Sequence, residues 1–71
     1  MSTAYKDYTI ETEATKHVAG GWTALVHIYR ADGTIVRSSL DLGRDVTFAT
    51  EELADQAALL LGRAWVDRLK P

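Results

Sequence analysis

Few side chains in this sequence have the types and spacing that catalysis or metal binding requires. His17 and His27 are the only histidines, and no Cys is present. Zinc sites use His, Cys and carboxylate ligands at short, recognisable spacings, and no such spacing occurs here. Ser38 and Ser39 lie in a predicted strand, whereas a nucleophile elbow places its Ser at a sharp strand-to-helix turn. We therefore expect no metal, no cofactor and no catalytic residue.

Two further motifs match functional ones only in part. Glu51 and Glu52 are adjacent in a predicted helix, so their side chains point about 100° apart. This geometry suits charge stabilisation at a helix N-terminus better than paired-carboxylate catalysis. The stretch AGGW, residues 19–22, has two glycines but lacks the Lys and the following helix of a phosphate-binding loop. The sequence therefore favours a protein that is not an enzyme.

Size and composition are typical of one small folded domain. The chain has 71 residues, of which 46% are hydrophobic and 25% are charged, which is the balance of a globular protein. A chain this short is near the lower limit for a self-sufficient core, and without Cys it cannot use disulfides. We predict a single domain over residues 1–71 that depends on very good packing or on a second subunit.

Charge and hydropathy argue against several classes of partner. The net charge is -2 and no block of like charges occurs, whereas general phosphate-backbone binders carry a clustered basic excess. The first ten residues, MSTAYKDYTI, lack the basic start and apolar core of a signal peptide. The longest apolar run, residues 57–61, is far too short to cross a bilayer. We expect a cytoplasmic protein with no membrane segment.

Alternation of apolar and polar residues predicts three strands. Residues 5–13 are β-prone, residues 22–30 give the strongest strand signal, and residues 34–42 return after a turn. Residues 1–4 are predicted to be a loose terminus. Before the second strand, the paired glycines Gly20 and Gly21 break the chain.

The turn between the second and third predicted strands can be chosen from the hydrophobic pattern. A three-residue loop over residues 31–33, ending in a left-handed glycine, pairs Arg30 with Thr34. The pairs that follow are Ile28–Val36, Val26–Ser38, Ala24–Leu40 and Trp22–Leu42. A two-residue turn would instead place Ile28 beside Arg37, so hydrophobic matching favours the longer loop.

The segment TFATEELADQAALLLGRAWVDRL, residues 47–69, predicts a helix over about residues 51–69. Thr50 is a suitable N-cap, and Glu51 and Glu52 follow it, where the helix dipole favours negative charge. The predicted fold class is therefore α+β: a three-stranded antiparallel meander, in the order 1-2-3, with one C-terminal helix packed across one face.

This helix is apolar over more of its surface than one core requires. One stripe is predicted to cover the sheet, and its residues are Leu53, Ala57, Leu60, Leu61 and Ala64. A second set on the opposite side has the spacing of a helix-packing seam, and consists of Leu59, Gly62, Val66 and Leu69. We interpret this second set as an interface, of which a homodimer is the simplest form, although single exposed apolar residues are common.

The open face of the sheet is the alternative interface. It is predicted to carry an apolar and aromatic cluster beside a His–Arg pair that faces across the hairpin. The residues of this face are Leu25, His27, Tyr29, Ile35 and Arg37. The cluster either stabilises the open face by cross-strand packing or docks a protein, a peptide or a second sheet.

The function we expect is that of a small non-enzymatic binding or regulatory module, homodimeric and acting through protein–protein contacts. The alternative is a nucleic-acid-binding domain, because a sheet backed by one helix is a layout that some such domains use. The basic residues at the sheet rim that would contact phosphates are Lys16, Arg30 and Arg37. Three carboxylates on the same predicted face, Glu11, Glu13 and Asp41, would repel phosphates and disfavour this alternative.

The order of the stretches YKDYTI, GGWTALVHIYR and TFATEELADQAALLLGRAWVD resembles that of small uncharacterised bacterial proteins of about this length. The similar features are a Tyr-rich first strand, a Trp-led second strand and a Phe-x-Thr-Glu-Glu entry to the final helix. The resemblance implies a stand-alone β-β-β-α domain and carries no catalytic residues. Asp7 occupies a position where the resemblance leads us to expect Gly.

Overall fold

A four-stranded antiparallel sheet is covered on one side by a single C-terminal helix. The computed structural model describes residues 2–43 and 45–69. The elements are β1 (Ser2–Tyr5), β2 (Tyr8–Lys16), β3 (Trp22–Arg30), β4 (Ile35–Asp41) and α1 (Glu51–Leu69), and the strand order is β1-β2-β3-β4. The predicted α+β class, antiparallel sheet and C-terminal helix are confirmed. The predicted number of strands was wrong, since the sheet has four and not three.

The additional strand comes from the predicted loose terminus, residues 1–4, of which Met1 lies outside the described residues. Tyr5 pairs with Tyr8 across a two-residue turn. Lys6, the first residue of this turn, has a φ of 55°, a conformation for which hairpins usually use Gly or Asn. Because the turn carries neither residue, the sequence predicts one strand where the structure has two.

The loop between β3 and β4 is the predicted three-residue loop, but the pairing beyond it differs from the prediction. The Arg30 amide donates to the Thr34 carbonyl at 2.8 Å, and Gly33 has a φ of 90°. Farther along, the register shifts twice, so that Ile28 pairs with Arg37 instead of Val36 and Val26 with Leu40 instead of Ser38. The irregular strand is β4, which lies at the edge of the sheet.

The core lies between the sheet and the inner face of α1. Its fully buried hydrophobic residues are Ile10, Ala24, Val26, Ile28, Ala54, Ala58 and Val66. On the helix side, the buried positions are mostly small, which lets the helix backbone lie close to the strands. At Gly62 the approach leaves no room for a side chain, because an added Cβ would lie 2.6 Å from Ile10 Cγ2.

Local hydrogen bonds fix where the helix begins. Thr50 acts as the predicted N-cap, because its Oγ1 accepts a hydrogen bond of 3.2 Å from the Leu53 amide. Just before it, Phe48 and Trp22 exchange two backbone hydrogen bonds, each of 2.8 Å. This bridge attaches the connector to the start of β3 and directs α1 back across the sheet.

Candidate functional site

The outward face of α1 exposes a row of apolar side chains. Leu53 and Leu60 are 46% and 63% exposed, and both lie on the side of the helix away from the sheet. Ala57 is half-buried and Ala64 is exposed in the same row. These four residues, which we call the outward seam, are spaced four, three and four apart, the spacing of residues that face a second helix.

The structure contradicts part of the predicted assignment of the two helix faces, although Leu61 of the predicted inner stripe does pack against the core. Gly62 and Val66, predicted to lie in a partner seam, are buried against the sheet. Leu59 is half-buried against the same core, and Leu69 is 46% exposed at the helix end. The stripe predicted to cover the sheet contains the outward seam. The row that faces the sheet is Ala54, Ala58, Gly62 and Val66, which takes only two residues from the predicted seam.

A polar cluster ends the outward seam. Asp67, three residues after Ala64, accepts hydrogen bonds from Tyr5 Oη at 2.8 Å and from Lys6 Nζ at 2.6 Å. The bonds from Lys6 and Tyr5 lower the pKa of Asp67, and the bond to Asp67 raises the pKa of both Tyr5 and Lys6. This cluster attaches the β1–β2 turn to the last turns of α1 and places charge where the apolar row stops.

The open face of the sheet carries the predicted apolar cluster in part. Tyr29 pairs with Ile35, which is 61% exposed, and Leu25 is half-buried and pairs with Asp41. Arg37 pairs with Ile28, whose side chain is in the core, so the predicted cross-strand pair of Arg37 with His27 was wrong. The register shifts of β4 are the reason.

His27 instead contacts two serines and a carboxylate. Its Nδ1 accepts a hydrogen bond of 3.1 Å from the Ser39 amide and lies 3.2 Å from Ser38 Oγ. Its Nε2 lies 3.6 Å from Glu13 Oε2. Ser39 has a φ of 55° and lies in a β-bulge that the sequence did not predict. The hydrogen bond from its amide to the imidazole stabilises this bulge.

The Glu13–His27–Ser38 set has the residue types of a hydrolase triad, but its hydrogen bonds suit structure better than catalysis. A general base needs a free lone pair to take the proton of the nucleophile. The Nδ1 lone pair of His27 already accepts the Ser39 amide hydrogen. Ser38 Oγ therefore competes with a backbone donor that cannot leave without disrupting the strand.

The three basic residues of the alternative function do not converge. Lys16 pairs with Trp22 at one end of β2, and its Nζ lies 5.7 Å from the centre of that ring. Arg30 pairs with Tyr8 at the other end, about 26 Å away along the strand. Glu11 and Glu13 alternate with the core-facing residues of β2, so they lie on the open face of the sheet and give it negative charge.

Three further observations concern the described part of the chain. An open depression of about 440 Å³ lies between the two turns at one end of the sheet, and is lined by Asp7, Tyr8, Arg30, Ala31 and Asp32. Among residues 2–43 and 45–69, no three His, Cys, Asp or Glu side chains are grouped so that they could hold a metal ion. No helix in these ranges is long and apolar enough to cross a membrane.

The fold is that of a small protein with a four-stranded sheet covered by one helix, and its candidate sites are exposed faces. A family model described as a domain of unknown function, DUF6566, matches residues 1–71. The chain belongs to this family, which agrees with its resemblance to small uncharacterised proteins. No curated protein and no solved structure matches the chain. The family description assigns no activity.

Proposed function

We propose that this protein is a non-enzymatic binding or regulatory module that acts through protein–protein contacts and forms a homodimer through the outward seam. The observation that carries the proposal is the alignment of two exposed leucines, Leu53 and Leu60, on the side of α1 that the sheet leaves uncovered. Aligned apolar side chains at helix-packing spacing are typical of an interface, whereas unrelated exposed residues are scattered.

The small size of the core supports this proposal. Among the described residues, seven hydrophobic residues are fully buried and three of them are alanines. A buried Val or Ile side chain contributes about 1.5–3 kcal/mol, and a chain of this length has little other burial with which to offset its conformational entropy. A second copy that covers Leu53 and Leu60 would add apolar burial that one chain lacks.

Binding also fits the polar groups better than catalysis does. The lone pair of His27 Nδ1 is engaged by a backbone amide, and the depression beside Arg30 is open to solvent. Enzyme sites instead enclose convergent polar groups. Nucleic-acid binding gains no support, because Lys16, Arg30 and Arg37 are spread over the sheet and its open face carries carboxylates.

The test is the solution mass of the native chain over a range of concentrations, measured by sedimentation equilibrium beside two variants. Leu60→Glu puts a charge on the outward seam, and Ile35→Glu puts one on the open sheet face. These side chains are matched in exposure, at 63% and 61%. We expect the native chain and Ile35→Glu to dimerise and Leu60→Glu to remain monomeric, because an unpaired carboxylate is costly to bury.

Circular dichroism melting of both variants verifies that each still folds, which their exposed positions predict. A native chain that stays monomeric at all concentrations would contradict the homodimer. Loss of the dimer in Ile35→Glu, with retention in Leu60→Glu, would move the interface to the open sheet face.

A further inference from the structure

The outward seam alternates in side-chain size along α1. Leu53 is followed by Ala57, and Leu60 by Ala64, so that large and small side chains alternate along the outward seam. The next position of the pattern is Asp67, whose carboxylate is bonded to Tyr5 and Lys6. The apolar seam is therefore short, and it has a definite end.

We propose that the seam binds a second copy of this chain in the antiparallel direction, with each leucine packed against an alanine of the partner. A twofold axis between positions 58 and 59 places Leu53 opposite the partner's Ala64 and Leu60 opposite the partner's Ala57. One patch on each copy is then complementary to itself, as a twofold interface requires. This inference rests on the proposed function and specifies the partner and its orientation.

Side-chain volume favours the antiparallel pair over a parallel one. In a parallel pair in register, Leu53 would meet Leu53 of the second copy and Ala57 would meet Ala57. Crowded layers would alternate with layers too empty for close packing, and unfilled space forfeits dispersion contacts. In the antiparallel pair every layer contains one leucine and one alanine, so the layers have equal volume and the helix axes can approach to about 8 Å.

The charges of α1 favour the same direction. The first turn is acidic, with Glu51 and Glu52, whereas the last turn carries Arg68 and Asp67, and the charge of Asp67 is balanced by Lys6. An antiparallel pair brings the acidic end of one helix near the basic end of the other and opposes their dipoles. A parallel pair would place like charges together at both ends, which electrostatic complementarity disfavours.

The length of the seam predicts a weak dimer. From Leu53 to Ala64 it spans about 16 Å of helix, less than the width of most stable interfaces. We expect a contact at the low end of the size range for specific interfaces, so that dimerisation depends strongly on concentration. The two sheets then lie on the outside of the helix pair, and both open faces stay exposed.

Because the chain contains no Cys, single cysteines can report the direction of pairing. We would mix Leu53→Cys with Ala64→Cys and treat the mixture, and each variant alone, with a short bis-maleimide. The antiparallel pair predicts cross-linked dimer in the mixture and only background in each variant alone, because Leu53 lies about 16 Å along the axis from the partner's Leu53. Val18→Cys, at a position that is 103% exposed, mixed with Ala64→Cys measures that background.

A second measurement uses a more apolar variant. Ala64→Leu should weaken dimerisation by about tenfold or more, because it meets the partner's Leu53 in a layer with room for one large side chain. Exchanging the two residues, as Leu53→Ala with Ala64→Leu, should restore most of the affinity. Stronger dimerisation of Ala64→Leu would contradict the antiparallel packing.

The outcomes separate this inference from the function on which it rests. If the native chain dimerises and Leu60→Glu does not, but Leu53→Cys cross-links with itself, the helices pair in parallel and only the inference fails. The inference fails in the same way if the mixture cross-links no better than the Val18→Cys control. If the native chain is monomeric, the proposed homodimer fails as well.

Discussion

The two apolar faces of α1 differ in volume more than in hydropathy. The inner face contributes Ala54, Ala58, Gly62 and Val66 to the core, whereas the outer face carries Leu53, Ala57, Leu60 and Ala64. Ile10, Val26 and Ile28 already fill the inner face of the sheet, so the fully buried helix positions are mostly small, while Leu59, Leu61 and Trp65 pack against the core partly buried. The comparison teaches that the volume left by the strands favours small residues directly against the sheet, and that Leu53 and Leu60 remain on the uncovered surface.

The largest expected difference between the two faces of α1 is the change in stability when Gly and Ala are exchanged on each. In Gly62→Ala the added Cβ would lie 2.6 Å from Ile10 Cγ2 and 3.2 Å from Val26 Cγ1, and both neighbours are fully buried. We expect the overpacking to lower the free energy of unfolding by about 1–3 kcal/mol, partly offset by about 1 kcal/mol of helix propensity. Urea denaturation followed by Trp fluorescence measures the net change.

The matched variant on the outer face is Ala64→Gly. Since Ala64 is exposed, this change should cost only the propensity difference of about 1 kcal/mol in the monomer. Propensity alone predicts that Gly62→Ala stabilises the chain. If Gly62→Ala were more stable than the native chain, the close approach of α1 to the sheet would not be the reason for its orientation.

A smaller effect on stability is expected at Asp67, which follows the outward seam. The hydrogen bonds from Lys6 and Tyr5 lower the pKa of Asp67, so its contribution to stability is present above the unfolded pKa, about 3.9, and is lost as pH falls through the lower folded value. Both side chains of the Lys6–Asp67 ion pair are well exposed, which keeps the effect small. Asp67→Asn should therefore melt slightly below the native chain at neutral pH.

Thermal melts of the two proteins should converge in strong acid, where the native carboxylate is protonated. The double variant Lys6→Gln/Asp67→Asn separates the pair from the individual side chains. A melting difference between native and Asp67→Asn that persists unchanged below the folded pKa would show that the charge of Asp67 is not its cause.

Local signals explain the parts of this fold that the sequence could predict. Thr50 followed by two glutamates marked the helix start, and the Gly33 loop marked the turn between β3 and β4. In both cases a residue type is preferred for a conformation that depends on its near neighbours alone. The helix bounds and the three-residue loop were therefore accessible without tertiary information.

The parts that could not be predicted depend on contacts between distant residues. Lys6 adopts a positive φ in a turn that carries no Gly, and its Nζ bonds to Asp67 at the far end of the chain. Ser39 also adopts a positive φ. It lies in a β-bulge, and its amide donates a hydrogen bond to His27 on the neighbouring strand. Neither Lys nor Ser is typical of a positive φ, so the sequence did not predict the first hairpin or the register of β4.

The helix orientation was missed for a different reason. The hydrophobic pattern predicted two apolar stripes, and the leucine-rich stripe was assigned to the core. That choice ignores the large side chains already present on β2 and β3, such as Ile10 and Val26. A signal was available in the chain, because Gly62 lies in line with two alanines, and such a row marks close backbone approach.

The central claim is that the outward seam is where a second copy binds, and amide ¹H–¹⁵N spectra from micromolar to millimolar concentration test it most directly. We predict that concentration-dependent shifts cluster at Leu53, Ala57, Leu60 and Ala64, while the amides of Leu25 and Tyr29 stay constant. Shifts confined to the open sheet face, or spectra that do not change over the whole series, would contradict the claim.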